Sequence, residues 1–520
     1  MARKRKLIHF GQEIKDVVIT EDPAFDYVHL SGQLADQLID GWPLLLDGQL
    51  NSQFRNDLFL ITAPVTSEEY AELLPFLPAN QTMRTADILP LPETTSLETL
   101  KNIQLVTLTD ITVFRKLIVE NFLPFQVGYK FGVDTLSFAS AFKGDIEQNG
   151  HNFVRITDNV ETFDAYTYIA SWTGSFSLPR HSIWELTGEF KALNQSTNVM
   201  VRIQLYGVND PEPYFQQDVE NMNLLEPQFL SLDDNWAYVT FSLFVKGHAI
   251  DFKMGALHLR QSHEGRGVLM VGGHRLVDRE NMGEELTYYF DPADLKPPLS
   301  VYFSGFRPAE GYEANFMMRR LGTPFLIFGD PRLEGGAFYT GNEYLQKQVV
   351  KVINETLKQL GFTKDQLILS GLSMGTYGAL KYASHIVPHA VVLGKPLTNL
   401  GDIASSGRIE RPEEFATAED IMTKVSDGLT EPAIEQANAS FWDDFKGANF
   451  SHTTFVLSYM ENDDYDGRAF EDLRSYLTET YPGIRILHHG LVGRHNDDTP
   501  GVVDWFLRQF RNILSSDFNR

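Results

Sequence analysis

Gln366-Leu-Ile-Leu-Ser-Gly-Leu-Ser-Met-Gly-Thr-Tyr-Gly-Ala-Leu380 decides how the rest of the chain is read. An apolar run, Leu367–Leu369, enters Gly371-Leu372-Ser373-Met374-Gly375, and a small-residue segment over Thr376–Ala383 leaves it. G-x-S-x-G alone is a weak pattern. Between a buried strand and a helix it has the setting of a nucleophile elbow, a turn so tight that side chains at both glycines would clash and the serine Oγ is lifted above the sheet edge. A tight strand–helix turn without chemistry is the competing account of the same residues.

Further short apolar runs lie on either side: Leu299–Phe303, Phe325–Phe328, Ala390–Leu393, Thr454–Tyr459 and Ile484–Leu487. Leu345, Val349, Val352, Ile353, Leu357 and Leu360 recur at helical spacing, with Gly361 where a C′ glycine belongs. An amphipathic pattern covers Val502–Leu514. Buried strands separated by helices predict a mainly parallel sheet covered on both faces. We expect an α/β-hydrolase domain over 280–520, with an acidic cap insertion, a candidate lid, at about 408–445.

Upstream the texture differs. Over 150–265, Val199, Val201, Ile203 and Leu205 alternate with polar neighbours, as do Ala237, Val239, Phe241 and Leu243, and Trp184, Leu186 and Phe190. Period two means half-buried strands, and several of them predict an antiparallel β-sandwich, jelly-roll-like. Trp172, Tyr206, Tyr214 and Trp236 are candidates for a glycan-binding face, although burial statistics favour core aromatics. Residues 1–145 read as a mixed α/β scaffold or docking region, with strands at Asp26–Leu30 and Leu58–Ile61 and a capping box from Thr66 to Glu69.

The chain has 520 residues, enough for roughly three domains. Its 44 Lys+Arg against 69 Asp+Glu give a net charge of −25, which disfavours nucleic acid as a partner. Cysteine is absent, which excludes thiolate chemistry and disulfides. The start, Met1-Ala-Arg-Lys-Arg-Lys6, is basic, but the apolar run behind it fails after Leu7 and Ile8. No signal peptide or spanning helix is expected, so we expect a soluble, cytoplasmic chain with at most peripheral contact with the inner face of the membrane.

A serine hydroxyl needs a base, and in this fold class the order is Ser, acid, His. His495 lies in a glycine-bounded loop after the last strand and is the candidate base; His488 and His489 fall on or beside that strand. Asp463 has the best offset for the acid, with Asp464 and Glu461 as alternatives. The oxyanion hole should draw on the N–H of Met374 and, from Ser304-Gly-Phe-Arg307, that of Phe306. Gly305 would let substrate approach. Arg307 is a candidate for binding a carboxylate or phosphate, with pairing to Glu310 or Glu313 equally open. Asp330–Gly341 is a candidate pocket lining. No metal site is expected.

Pro298-Leu-Ser-Val-Tyr-Phe-Ser-Gly-Phe-Arg307, Asp330-Pro-Arg-Leu-Glu-Gly-Gly-Ala-Phe-Tyr339, Leu367–Leu380 and Gly493-Arg-His-Asn-Asp497 together resemble the serine-hydrolase-like accessory secretion proteins of the accessory Sec system of Gram-positive bacteria. The resemblance covers roughly the last 220–240 residues, about one domain's worth; the first 260 match in order and texture only. It implies cytoplasmic work with companion accessory secretion proteins. It also implies support for export of a serine-rich repeat glycoprotein adhesin through a dedicated motor ATPase and channel, and O-acetylation of N-acetylglucosamine on that glycoprotein. An acetyl donor is then required, acetyl-CoA being one candidate, with no bound cofactor. Ser373 and His495 match the family's nucleophile and base. The family's acid is a glutamate in some members, whereas Asp463 and Asp464 align here with Glu461 close by, so the acid stays open. Two other readings remain beside the acetyltransferase: a carbohydrate esterase, and a non-catalytic secretion adaptor or chaperone.

Overall fold

The computed structural model describes every residue except 1–2, 32–36, 47, 175, 233–236 and 412–413. Three main sheets follow one another along the chain.

The first contains β1 (Arg5–Phe10), β2 (Phe25–Leu30), β3 (Leu58–Ile61), β4 (Thr82–Thr85) and β5 (Gln104–Val106) in the order β2-β1-β3-β4-β5. Every pairing is parallel. The region expected to be mixed is therefore a regular parallel α/β unit. β3 is buried at all four positions, as a strand covered on both faces must be. Helix α1 (Ser67–Leu73) carries the expected capping box between Thr66 and Glu69; α2 (Thr95–Leu100) and α3 (Ile111–Leu117) follow. Ligands of open parallel sheets bind where the strand order reverses, here beyond β1 and β3. That crevice is bridged by the Gln12 N–H donating to the Ala63 carbonyl at 2.7 Å. The basic start is absorbed by the fold. Arg3 pairs with Asp57, Lys4 lies 3.8 Å from Asp26, Lys6 pairs with Asp40, and Arg5 donates to Gln81 and to the carbonyls of Asn56 and Phe122. Among the described residues no helix is long and apolar enough to cross a membrane.

The second sheet is antiparallel, as alternation predicts. Its strands are β6 (Gly128–Phe131), β7 (Leu136–Phe138), β8 (Asp145–Asn149), β9 (Phe153–Trp172), β10 (Phe176–Leu178), β11 (Ser182–Ala192), β12 (Asn198–Gly207), β13 (Pro213–Glu220), β14 (Gln228–Leu232) and β15 (Ala237–Gln261). One continuous sheet folds back on itself about the long strands β9 and β15 instead of dividing into the separate hairpins of a jelly roll. The first half of β15 pairs with β12, the second with β11 and β6. Both halves point into one core, where Phe131 of β6 meets Phe241 of β15 edge-on at 4.7 Å. The sheet begins at Gly128, not near 150, because β6 finds its partner far along the chain, with Gly128 opposite Arg260, and β7 and β8 add to β9 ahead of the expected start.

The third sheet comprises β16 (Gly273–Asp278), β17 (Glu284–Asp291), β18 (Leu299–Phe303), β19 (Phe325–Gly329), β20 (Leu367–Leu372), β21 (Ala390–Gly394), β22 (Thr454–Met460) and β23 (Ile486–Leu491). The order is β16-β17-β19-β18-β20-β21-β22-β23; β17 runs antiparallel to both neighbours and the other pairings are parallel. It starts at Gly273, a little before the expected 280. Apolar clusters cover both faces. Its helices are α4 (Asn315–Leu321), α5 (Glu343–Leu360), α6 (Met374–Ile386), α7 (Leu400–Glu410), α8 (Thr417–Val425), α9 (Glu431–Lys446), α10 (Ala469–Thr480) and α11 (Thr499–Phe518). Gly361 ends α5 at φ 72°, as its place in the sequence predicts. The acidic stretch 408–445 runs from the end of α7 almost to the end of α9, between β21 and β22. Its described carboxylates are exposed or half-exposed apart from Asp420, which lies 2.7 Å from His151 Nδ1 on the β8–β9 turn.

Candidate active site

Ser373 joins β20 to α6 at φ 50°, ψ −124°. Such backbone costs a non-glycine residue on the order of 1–3 kcal/mol and persists only where its surroundings impose it. Its N–H donates to the Gly394 carbonyl at the end of β21, 2.8 Å away, and its own carbonyl accepts from the Thr376 hydroxyl at 2.6 Å. A Cβ on Gly371 would collide with the Gly375 carbonyl, and one on Gly375 with the Phe303 carbonyl of β18. Both glycines are sterically required.

Ser373 Oγ lies 2.8 Å from His495 Nε2, and His495 Nδ1 lies 2.8 Å from Asp463 Oδ2. His495 is only 1% exposed, with the Tyr465 ring centred 4.2 Å from its own. The other Asp463 oxygen accepts the N–H groups of Tyr465 (2.8 Å) and Asp466 (3.2 Å), so the carboxylate is oriented by its own turn. Burial pushes the Asp463 carboxyl up. The hydrogen bond and charge of His495, with those two N–H groups, outweigh it and hold the pKa below the usual carboxylate range.

The alternative acids go elsewhere. Asp464 Oδ1 accepts the His495 backbone N–H at 3.0 Å, and Asp464 pairs with Arg411 from the end of α7. Glu461 donates its N–H to the Leu491 carbonyl, and its carboxylate lies beside Gly490. His488 and His489 lie on β23, packed against Phe470 and Trp505.

The loop after β18 carries the candidate second oxyanion donor. Ser304 N–H donates to the Phe328 carbonyl (3.0 Å), Gly305 N–H to Glu313 Oε2 (2.7 Å) and Arg307 N–H to the Gly335 carbonyl (2.9 Å). Phe306 alone of these four has no protein acceptor among the described residues. Met374 opens α6, where helix geometry leaves N–H groups unpaired. Gly305 is buried with Glu313 against it, so its N–H is not available to substrate. Among the described residues Arg307 makes no side-chain hydrogen bond to Ser373 or His495. Its guanidinium lies beside Gly311 with a buried, unpartnered Nε, and neither expected carboxylate meets it: Glu310 is taken by His258 and Arg260, Glu313 by Gly305 and Tyr302. Within Asp330–Gly341, Gly336 packs on the Met374 thioether and Phe338 on Tyr377.

Two neighbours of the site, Lys395 and Arg411, escaped the sequence reading, and Glu313 was read there only as a partner for Arg307. Glu313 N–H donates to Ser304 Oγ at 3.0 Å across the oxyanion loop, while its carboxylate accepts from Gly305 and Tyr302. Lys395, next after Gly394, donates to Thr499 Oγ1 at 3.1 Å; burial lowers its pKa, and the charges of Asp463 and Glu313 partly oppose that. Arg411 stacks on Tyr465 with its guanidinium carbon 3.8 Å from the ring centre. Only the position of Lys395 at the end of an apolar run offered a signal in the sequence.

Of the glycan-face candidates, Trp172 is buried, Tyr206 is half-buried and donates to Gln204, and Tyr214 is 52% exposed; Trp236 lies outside the described residues. A groove of about 1170 Å³ lies between the first sheet and α5, lined by Asn102, Gln104, His274, Tyr288 and Gln359, and touches none of the site residues. Among the described residues no group of three or more His, Asp or Glu side chains is placed to hold a metal ion.

A mostly parallel sheet with a strained serine at a strand–helix turn, backed by histidine and aspartate from the ends of two later strands, defines the serine-hydrolase type of α/β fold. Comparison with known proteins narrows this. The family described as accessory Sec system GspB-transporter matches residues 25–520, and the chain belongs to that family. An accessory Sec system protein of Staphylococcus aureus is 37% identical over 380 residues, 73% of this chain and 71% of that protein. One from Streptococcus gordonii is 36% identical over 405 residues, 76% of each. A chain of the glycosylation-associated protein (Gap123) complex from Streptococcus agalactiae matches 99% of both chains at 31% identity and a TM-score of 0.83.

Proposed function

We propose that this chain is a serine-dependent O-acetyltransferase that acts on N-acetylglucosamine of a serine-rich repeat glycoprotein and supports that glycoprotein's export. It would work in the cytoplasm, alongside companion accessory secretion proteins. The third sheet is the catalytic unit in this reading, and the other two support it. The observation that carries the chemistry is the 2.8 Å approach of Ser373 Oγ to a buried histidine that is itself held by Asp463; family membership carries the biological setting.

Acyl transfer follows from the residues in two steps. His495 takes the Ser373 proton as Oγ attacks the acetyl carbonyl of a donor. Negative charge on the carbonyl oxygen is met by the N–H groups of Met374 and Phe306. Asp463 keeps Nδ1 protonated and stabilises the imidazolium. The tetrahedral intermediate collapses as His495 returns the proton to the leaving group, which leaves acetyl-Ser373. A sugar hydroxyl then attacks, His495 removing its proton, and the second collapse frees the serine. Transferase and esterase share every residue here and differ in whether sugar or water is the acceptor.

Mass spectrometry of a glycosylated serine-rich repeat substrate co-expressed with the wild type or with Ser373→Ala tests the reading. Acetyl-sized additions on the sugars are expected with the wild type and not with the variant. Identical spectra would overturn the catalytic reading and leave a secretion adaptor.

A further inference from the structure

The β-sandwich reaches both the loop that packs on the oxyanion loop and the oxyanion loop's far end. Lys130, on β6, is half-buried, and its ammonium donates to three backbone carbonyls of the loop after β19: Pro331 (3.1 Å), Leu333 and Glu334 (2.7 Å). All three of its N–H groups are thereby used. The next residue, Gly335, offers its carbonyl to the Arg307 N–H at 2.9 Å, immediately beside Phe306. A Cβ on Gly335 would collide with the Phe306 ring, so the two loops lie in close contact.

His258 and Arg260 of the sandwich, with Gln126 just ahead of it, fix the far end of the oxyanion loop. His258 Nδ1 lies 2.6 Å from Glu310 Oε1, Arg260 donates to Glu310 Oε2 at 2.8 and 3.1 Å, and Gln126 accepts the Tyr312 N–H. Without Lys130, three partly buried carbonyls would lose their shared donor, and the 331–335 loop would lose an anchor beside Gly335.

We propose that Lys130 is a positioning residue for acyl transfer: through the 331–335 loop and the Gly335–Arg307 bond it sets where the Phe306 N–H points. The sandwich is then an integral half of the acyl-transfer site. This inference rests on the acyl-transfer reading for its kinetic consequence but not for its structural one.

Two measurements on the full chain separate them. In Lys130→Met, hydrogen exchange at the Arg307 amide, read on peptides spanning 304–313 and 331–336, should speed up about tenfold or more. With p-nitrophenyl acetate, kcat should fall about 10–100-fold while KM stays within about twofold, the signature of a misplaced transition-state donor. Unchanged exchange at 304–307 overturns the proposal, as does a loss confined to KM. Absence of Ser373-dependent turnover in the wild type would sink the acyl-transfer reading, and exchange alone would then decide the positioning claim. Should Lys130→Met fail to fold, Lys130→Arg, which keeps the charge but replaces a tetrahedral donor by a planar one, is read by the same two measurements and against the same outcomes.

Discussion

His495 is anchored at three points: Nε2 on Ser373, Nδ1 on Asp463, and its backbone N–H on Asp464. The two adjacent aspartates therefore do different work, one on the ring and one on the main chain. Asp463→Asn should lower kcat by roughly 10⁴-fold, because an amide cannot hold the required tautomer or stabilise the imidazolium. Asp464→Asn leaves the ring partner in place and should cost only about tenfold, through looser positioning. Steady-state kinetics on p-nitrophenyl acetate checks both; equal losses would refute the division. Ser373 and His495 were legible in the sequence because a constrained turn and a fixed chain order surround them. The acid was legible only as a first choice, Asp463 by its offset, since three carboxylates crowd into Glu461–Asp464 and the turn that makes Asp463 cap Tyr465 and Asp466 selects among them.

At the scale of elements, the elbow depends on how closely α6 approaches β18 and β20. The helix is buried along almost its whole length, and Gly375 and Gly378 lie where a side chain would meet Phe303, its backbone carbonyl at the first position and its ring at the second. In an exposed helix Gly→Ala would gain about 1 kcal/mol. Here Gly375→Ala should instead destabilise by about 1–3 kcal/mol, because rigid backbone occupies the space the methyl needs. Denaturant titration of the variant measures this. The strands of the third sheet were readable as continuous apolar runs, the signature of burial on both faces. The start of the sandwich was not. Leu136–Phe138 and Asp145–Asn149 are short, with no fully buried residue, so neither shows the half-buried alternation by which the later strands were read.

Across the whole molecule, a buried charge network fastens the sandwich to the third sheet: Glu189, His258, Glu310, Arg260, Glu285 and Arg275. Burial works against the charged His258 ring, but Glu310 and Glu189 outweigh it and push its pKa from 6.5 up to about 9. Burial would raise Glu310, but Arg260 and His258 pull it down from 4.5 to about 2. The stabilisation from His258 is complete below pH 6.5 and lost as pH rises through about 9. That from Glu310 is complete above pH 4.5 and lost as pH falls through about 2. His258→Gln should therefore lower stability more at pH 7 than at pH 10, a difference that denaturant titrations at the two pH values would expose. An equal loss at both would mean that His258 is neutral in the folded protein.

The partners of Lys130 lie 201 to 204 residues further along the chain. On a ribosome adding about 5–20 residues per second, the lysine waits roughly 10–40 s for the carbonyls that surround it. The first sheet can close once Val106 has left the exit tunnel, and the sandwich only after Gln261 has supplied the end of β15. Between the completion of β15 at Gln261 and the arrival of the 331–334 carbonyls, the nascent sandwich presents an unpaired ammonium, together with Glu310's future partners His258 and Arg260, on the surface that will later become the joint. Translation thus exposes, in time, a charged face that the finished protein never shows.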